Sequence, residues 1–190
     1  AKFIEEAKNQ GLEVVAEEAF TADSKTDFST QLKKAQDGGA ELVFLPIYYT
    51  EASIILTQAD QMGYQPKFFG CDGLDGLLAV KNFDTKLAEG VMLLTPFAAD
   101  ATDDLTKKFV KEYKDKYDEV PNQFAADAYD AVYAVKLALE KAGVNDASMS
   151  ASDICDKVKV AMTEITLDGV TGSTTWTADG EPTKAPQVMK

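Results

Sequence analysis

The 190-residue chain contains no histidine and no arginine: all 19 of its positive charges are lysine. Without histidine the usual general base and the commonest metal ligand are missing, and without arginine so is the bidentate clamp for carboxylate or phosphate. The two cysteines, Cys71 and Cys155, are too few for a disulfide scaffold or a cysteine-based zinc site. No apolar run approaches the length of a membrane span. The N-terminus shows no basic-then-apolar leader, so any export signal is expected to have been removed or to lie outside these residues. Positive charge is scarce overall. Against 32 Asp and Glu it leaves a net charge of −13, which repels phosphate backbones and anionic headgroups and argues against nucleic acid or a lipid surface as partner. With 45% hydrophobic and 27% charged residues, the composition is that of a globular chain with a sizeable core.

The first ninety-five residues alternate helical and extended periodicity. Phe3, Ile4 and Ala7 share one helical face that closes at Gly11, and Leu12 to Phe20 reads as a strand. Thr26 or Asp27 caps a helix carrying Phe28, Leu32 and Ala35. The apolar run Leu42 to Ile47 reads as a strand buried on both faces. A helix from about Glu51 to Met62, a strand at Lys67 to Cys71, a short helical stretch and a strand at Val91 to Leu94 complete a βα series. Strands separated by helical crossovers imply a mostly parallel sheet with helices on both faces, an α/β fold. After Pro96 strand signals stop. Helices are predicted over 103–117, over 123–142 with the stripe Phe124, Ala128, Ala131, Val132, Val135 and Leu139, and over 151–163; a hairpin follows, with Trp176 as a packing residue. The helices of the last third have almost no strand to pack on, which reads as an incomplete chain.

In parallel α/β sheets ligands bind beyond the carboxyl ends of the strands. Three such places stand out: Ile47-Tyr48-Tyr49-Thr50, Gly70-Cys71-Asp72-Gly73, and Thr95-Pro96-Phe97. Two phenolic rings near a glycine-flanked carboxylate suit a small cationic or zwitterionic ligand, the carboxylate pairing an ammonium and a ring packing over it. An Asp-Gly after a strand is equally an ordinary turn, and a tyrosine pair at a strand end equally a rim of the core. Gly70, Gly73 and Gly76 do not make the dinucleotide fingerprint, and no phosphate-binding P-loop pattern occurs. Asp72 lacks the acidic partner that a phosphoryl-accepting carboxylate needs. Cys71 lacks a histidine to activate it, which leaves no support for an enzyme. Cys155, between Ile154 and Val158 on a helix, reads as a buried small hydrophobe. The pair Asp103-Asp104 reads as a helix cap rather than a calcium site.

Several segments together resemble a known family: Asp27-Phe28-Ser29 to Gln31-Leu32, Leu42 to Tyr49, Phe69 to Gly73, Glu89-Gly90-Val91, and Phe124 to Ala131. In order and spacing, over essentially the whole chain, they resemble the extracellular solute-binding proteins of ABC transporters for branched-chain amino acids. That resemblance implies the three-layer periplasmic-binding-protein type 1 fold, with two lobes, a ligand in the cleft and hinge closure. It makes residues 1–97 the second lobe lacking its first strand, 98–183 helices and a hairpin of the first lobe, and 184–190 the start of a crossing segment, with Pro96 and Phe97 at the hinge. It assigns the ligand ammonium to Asp72 and the ring over the ligand to Tyr48, with Tyr49 its neighbour. The family's hydroxyl donors for the ligand carboxylate fall outside these residues. The implied partners are a small amino acid and a membrane permease, with no cofactor, no metal and no enzymatic step. The implied location is the outer face of a cell membrane, lipid-anchored, or the periplasm. The same fold also serves as the sensing domain of receptors and transcriptional regulators.

Overall fold

A computed structural model describes residues 2–146 and 148–190. By its internal contacts the chain divides into two compact units, one ending at Leu93 and one spanning Leu94–Met189.

In the first unit, helix α1 (Lys2–Asn9) ends at Gly11, whose φ of +76° suits glycine, and α2 (Ser29–Asp37) follows. The N-cap of α2 is Phe28 and not Thr26 or Asp27 as expected, although the Asp27 carboxylate, one residue earlier, accepts from the Ser29 amide at 2.9 Å. Strand β1 (Leu42–Leu45) stops at Pro46, which has no N–H for a ladder. Helix α3 (Tyr49–Gln61) carries the chain to β2 (Lys67–Gly70), and three 3-10 turns lead on to β3 (Met92–Thr95). The pairing is parallel: Leu42 to Leu45 align with Lys67 to Gly70, and Phe69 and Gly70 with Met92 and Leu93. Side chains alternate across the sheet. Val43, Leu45 and Phe68 join Phe28 and Leu32 of α2 and Ala52, Ile55, Leu56 and Ala59 of α3 in one core. On the opposite face Phe44 stacks on Phe3 of α1 at 3.8 Å and meets Phe69 at 5.8 Å, so helices cover both faces of the sheet. Gln58 of α3 fixes the entry to α2, accepting from the Phe28 amide at 2.7 Å and donating to the Thr26 carbonyl at 3.1 Å.

The expected strand at Leu12 to Phe20 does not form. Ladder bonds need a neighbouring strand, and this segment lies along α2 instead. Lys34 pairs with Glu18 at 2.9 Å, and Gln31 donates to the Ala19 carbonyl at 3.2 Å.

The second unit contains α4 (Asp104–Tyr117), α5 (Gln123–Lys141), α6 (Ala151–Met162), an antiparallel hairpin of β4 (Leu167–Gly169) and β5 (Gly172–Thr174), and β6 (Gln187–Met189). Asp103 caps α4 by accepting from the Thr106 amide at 2.8 Å, as the acidic pair suggests. Phe97, Phe109, Val110, Ala126 and Val170 form one cluster, and Ala138, Ala161 and Ile165 another, with Trp176 packed against the latter. The α5 stripe chosen from its apolar residues is not the packed face. Val132 is 69% and Val135 52% exposed, while Ala126, Asp130, Ala134 and Ala138, four apart, are buried. Small side chains let α6 and the hairpin approach closely, and bulky ones on that face would hold them off. Cys155 is exposed, contrary to its expected burial, because the inward side of α6 is centred on Val158 and Ala161 and Cys155 lies at its edge.

Candidate functional site

Asp72 and Tyr48 come together because two strand ends lie side by side. Leu45 pairs with Gly70, so the chain leaving β1 at Pro46 and the chain leaving β2 at Cys71 emerge next to each other. Beyond β1, Tyr48 is the extended N-cap of α3, with φ −87° and ψ 160°, and its side chain is 64% exposed. Tyr49 starts the helix and packs against the apolar core. The two tyrosines differ in packing: Tyr48 faces outward and Tyr49 belongs to the rim of the core.

Beyond β2 the chain makes a tight 3-10 turn, Asp72–Leu74, closed by the Leu74 amide donating to the Cys71 carbonyl at 3.1 Å and the Asp75 amide to the Asp72 carbonyl at 3.0 Å. Leu74 is almost wholly buried and lies over Gly70, where any Cβ would collide with it. Gly73 is seated against the end of β1: a Cβ there would come closer than 3.0 Å to the Ile47 carbonyl oxygen and within 3.5 Å of the Tyr48 Cα. The Asp72 carboxylate is exposed and accepts from the Gly73 amide at 3.0 Å. Among the described residues no lysine forms an ion pair with it. Burial, and then the charge of Asp72, push the neighbouring Cys71 thiol above the ordinary cysteine range. That disfavours thiolate chemistry, as the missing histidine also does. Both cysteines are free thiols. The arrangement holds an exposed carboxylate and an exposed tyrosine on neighbouring strand ends at the carboxyl edge of a parallel sheet.

Of the third place singled out by sequence, Phe97 is buried and Pro96 half-buried. Thr95 accepts from the Phe97 amide through its hydroxyl at 3.2 Å, and the same hydroxyl donates to the Gln123 side-chain oxygen at 3.1 Å. Among the described residues no group of three or more cysteine, aspartate or glutamate side chains is placed to hold a metal ion.

Gly73 and Ile47 lie at strand ends that the sequence singles out, but it gives neither a role; the spacing Gly70-x-x-Gly73 marks two close backbone approaches and not a phosphate loop.

The chain matches a model of the periplasmic binding protein family over residues 1–190. Among individual proteins it is 28% identical over 172 residues to a leucine-, isoleucine-, valine-, threonine- and alanine-binding protein of Pseudomonas aeruginosa, a match covering 90% of this chain and 42% of that one. Among solved structures it resembles a branched-chain amino acid transporter substrate-binding protein of Streptococcus pneumoniae in complex with isoleucine. There the identity is 29% and the TM-score 0.78, covering 100% of this chain and 52% of the other. A leucine-binding protein of Thermotoga maritima matches at 27% identity and TM-score 0.78, covering 98% and 51%. The chain thus spans about half the length of the relatives it matches.

Proposed function

The chain belongs to the periplasmic binding protein family, with its type 1 fold, and from that premise we propose that it supplies one wall of an amino-acid-binding site in the substrate-binding component of an ABC importer. The observation that carries this reading is the exposed Asp72 carboxylate, free of any lysine partner among the described residues and carried on a strand end adjacent to the one that bears the exposed Tyr48. A carboxylate so placed complements the α-ammonium of an amino acid, and the ring covers the ligand from the side. The relatives named for branched-chain amino acids support that substrate class. Capture and presentation to a permease need no catalytic group, and the wall offers none. The second unit starts at Leu94, just before Pro96, whose ring restricts φ, and Phe97, which is anchored in an apolar cluster; we assign the hinge to these two residues. The remaining ligand contacts, above all the donors for the ligand carboxylate, come from residues outside these 190. We place the protein on the outer side of a cell membrane, in the periplasm or lipid-anchored. No helix among the described residues is long and apolar enough to cross a membrane.

The test is calorimetry on the full-length protein, using whichever common amino acid gives the largest thermal shift. Asp72→Ala removes one partner of a desolvated charge pair and is expected to weaken binding by about thirtyfold to several thousandfold. Tyr48→Ala costs about five- to thirtyfold, with Tyr49→Ala acting on stability instead. Wild-type affinity in Asp72→Ala overturns the reading.

A further inference from the structure

We propose that Gly73 is a positioning residue for ligand recognition: its bare Cα lets the Asp72–Leu74 turn close onto the end of β1, and its amide holds the Asp72 carboxylate in the orientation that meets the ligand ammonium. The inference rests on the assignment of Asp72 to the ammonium and adds to it the device that sets the carboxylate's place.

Two independent contacts converge on this residue. Sterically, a side chain at Gly73 meets backbone and not a movable side-chain tip: the Ile47 carbonyl oxygen at under 3.0 Å, the Ile47 carbonyl carbon at 3.1 Å and the Tyr48 Cα at 3.5 Å. The obstacle is the terminal peptide of β1, held by the β1–β2 ladder through Leu45 and Gly70 and by the start of α3. The turn must therefore yield, and its freest part is the exposed Asp72 side, since Leu74 is buried at the other end. Through its polar contact, the Gly73 amide donates to the Asp72 carboxylate at 3.0 Å, leaving the rest of the carboxylate to face outward. Unlike Gly76, at φ +106°, Gly73 has no left-handed backbone, so glycine is required here for space and not for conformation. One residue thus couples two strand ends: it seats the turn after β2 against the Ile47–Tyr48 peptide and aims the charged group. A binding site tolerates displacements of about half an ångström before its charged contacts weaken, and a methyl group at this contact demands more than that.

The experiment is a double-mutant cycle on the full-length protein, with leucine as the titrated probe and thermal unfolding recorded for every variant. Gly73→Ala is expected to fold cooperatively and bind leucine about tenfold or more weakly, because the charge-assisted contact is displaced. In an Asp72→Asn background, where the charge is already gone, adding Gly73→Ala is expected to cost less than about threefold further. Asp72→Glu in the Gly73→Ala protein is expected to recover part of the loss, since one more methylene restores reach. Full additivity of Gly73→Ala and Asp72→Asn overturns the inference, because Gly73 then acts independently of the carboxylate. So does undiminished leucine affinity in Gly73→Ala while Asp72→Asn is impaired, an outcome that leaves the assignment of Asp72 standing. Loss of cooperative unfolding in Gly73→Ala assigns the glycine to the fold alone and also overturns it. Unchanged affinity in Asp72→Asn removes the assignment of Asp72 and the inference with it.

Discussion

Asp130 is the residue whose surroundings say most about how this sequence is held together. It is 4% exposed, on the buried face of α5, and accepts at 2.9 Å from the Val170 amide, at 2.8 Å from the Thr171 amide and at 2.6 Å from the Thr171 hydroxyl. Gly169 lies so close that any Cβ would strike the carboxylate. The charge is tolerated because hydrogen bonds from the β4–β5 turn replace those from water. Asp130→Ala leaves two buried amides without an acceptor, and we expect it to destabilise the protein by about 3 kcal/mol in urea unfolding. A loss under about 0.5 kcal/mol would mean the turn finds other partners. In the sequence, Asp130 was visible only within the run Phe124 to Ala131; nothing local announced that a carboxylate on the small-residue face of a helix would anchor a hairpin forty residues away. The placement of Asp72 and Tyr48 beyond neighbouring strand ends, by contrast, was legible, because each follows an apolar strand run.

The helices follow their local signals closely. The Asp103 cap shows the physical cause, since the Thr106 amide bonded to its carboxylate holds that group below the usual aspartate range. A lowered folded-state pKa means that the cap's contribution is complete above the unfolded aspartate range and is lost as pH falls through the lower folded value. On acidification the Thr106 amide resonance is therefore expected to titrate below the ordinary aspartate midpoint, and Asp103→Asn to abolish that titration. A midpoint at or above the ordinary value would remove the cap from the start of α4. Element boundaries were less legible where tertiary contacts decide them. Helix α3 begins at Tyr49 and not near Glu51, and Leu12 to Phe20, extended in pattern, is not a strand, because a ladder is a property of two segments and a single sequence shows one.

Over the whole molecule, the feature with the largest consequence is the outward face of α5. Phe124, Val132, Tyr133 and Val135 are all exposed, and Val160 of α6 is 61% exposed. Exposed apolar side chains of this kind drive association when a partner surface is available, each buried valine contributing about 1.5–3 kcal/mol. The 190-residue chain is expected to show concentration-dependent association in sedimentation velocity, and Val132→Lys with Val135→Lys to shift it toward monomer. A wild-type chain that stays monomeric up to about 100 µM, an order-of-magnitude Kd for a weak interface, would show that this face needs no cover.

The sequence by itself determined the alternation of helix and strand, the parallel sheet, the positions of the caps, and the family, because these depend on periodicity, turn chemistry and ordered short segments, all of which are local. Tertiary structure alone decided which of two adjacent tyrosines faces out, which face of α5 is buried, that Cys155 is exposed, and that Gly73 lies under the end of β1. Each of these depends on the distance between segments far apart in the chain, and packing selects small residues and buried carboxylates where hydrophobic pattern alone selects valine and phenylalanine.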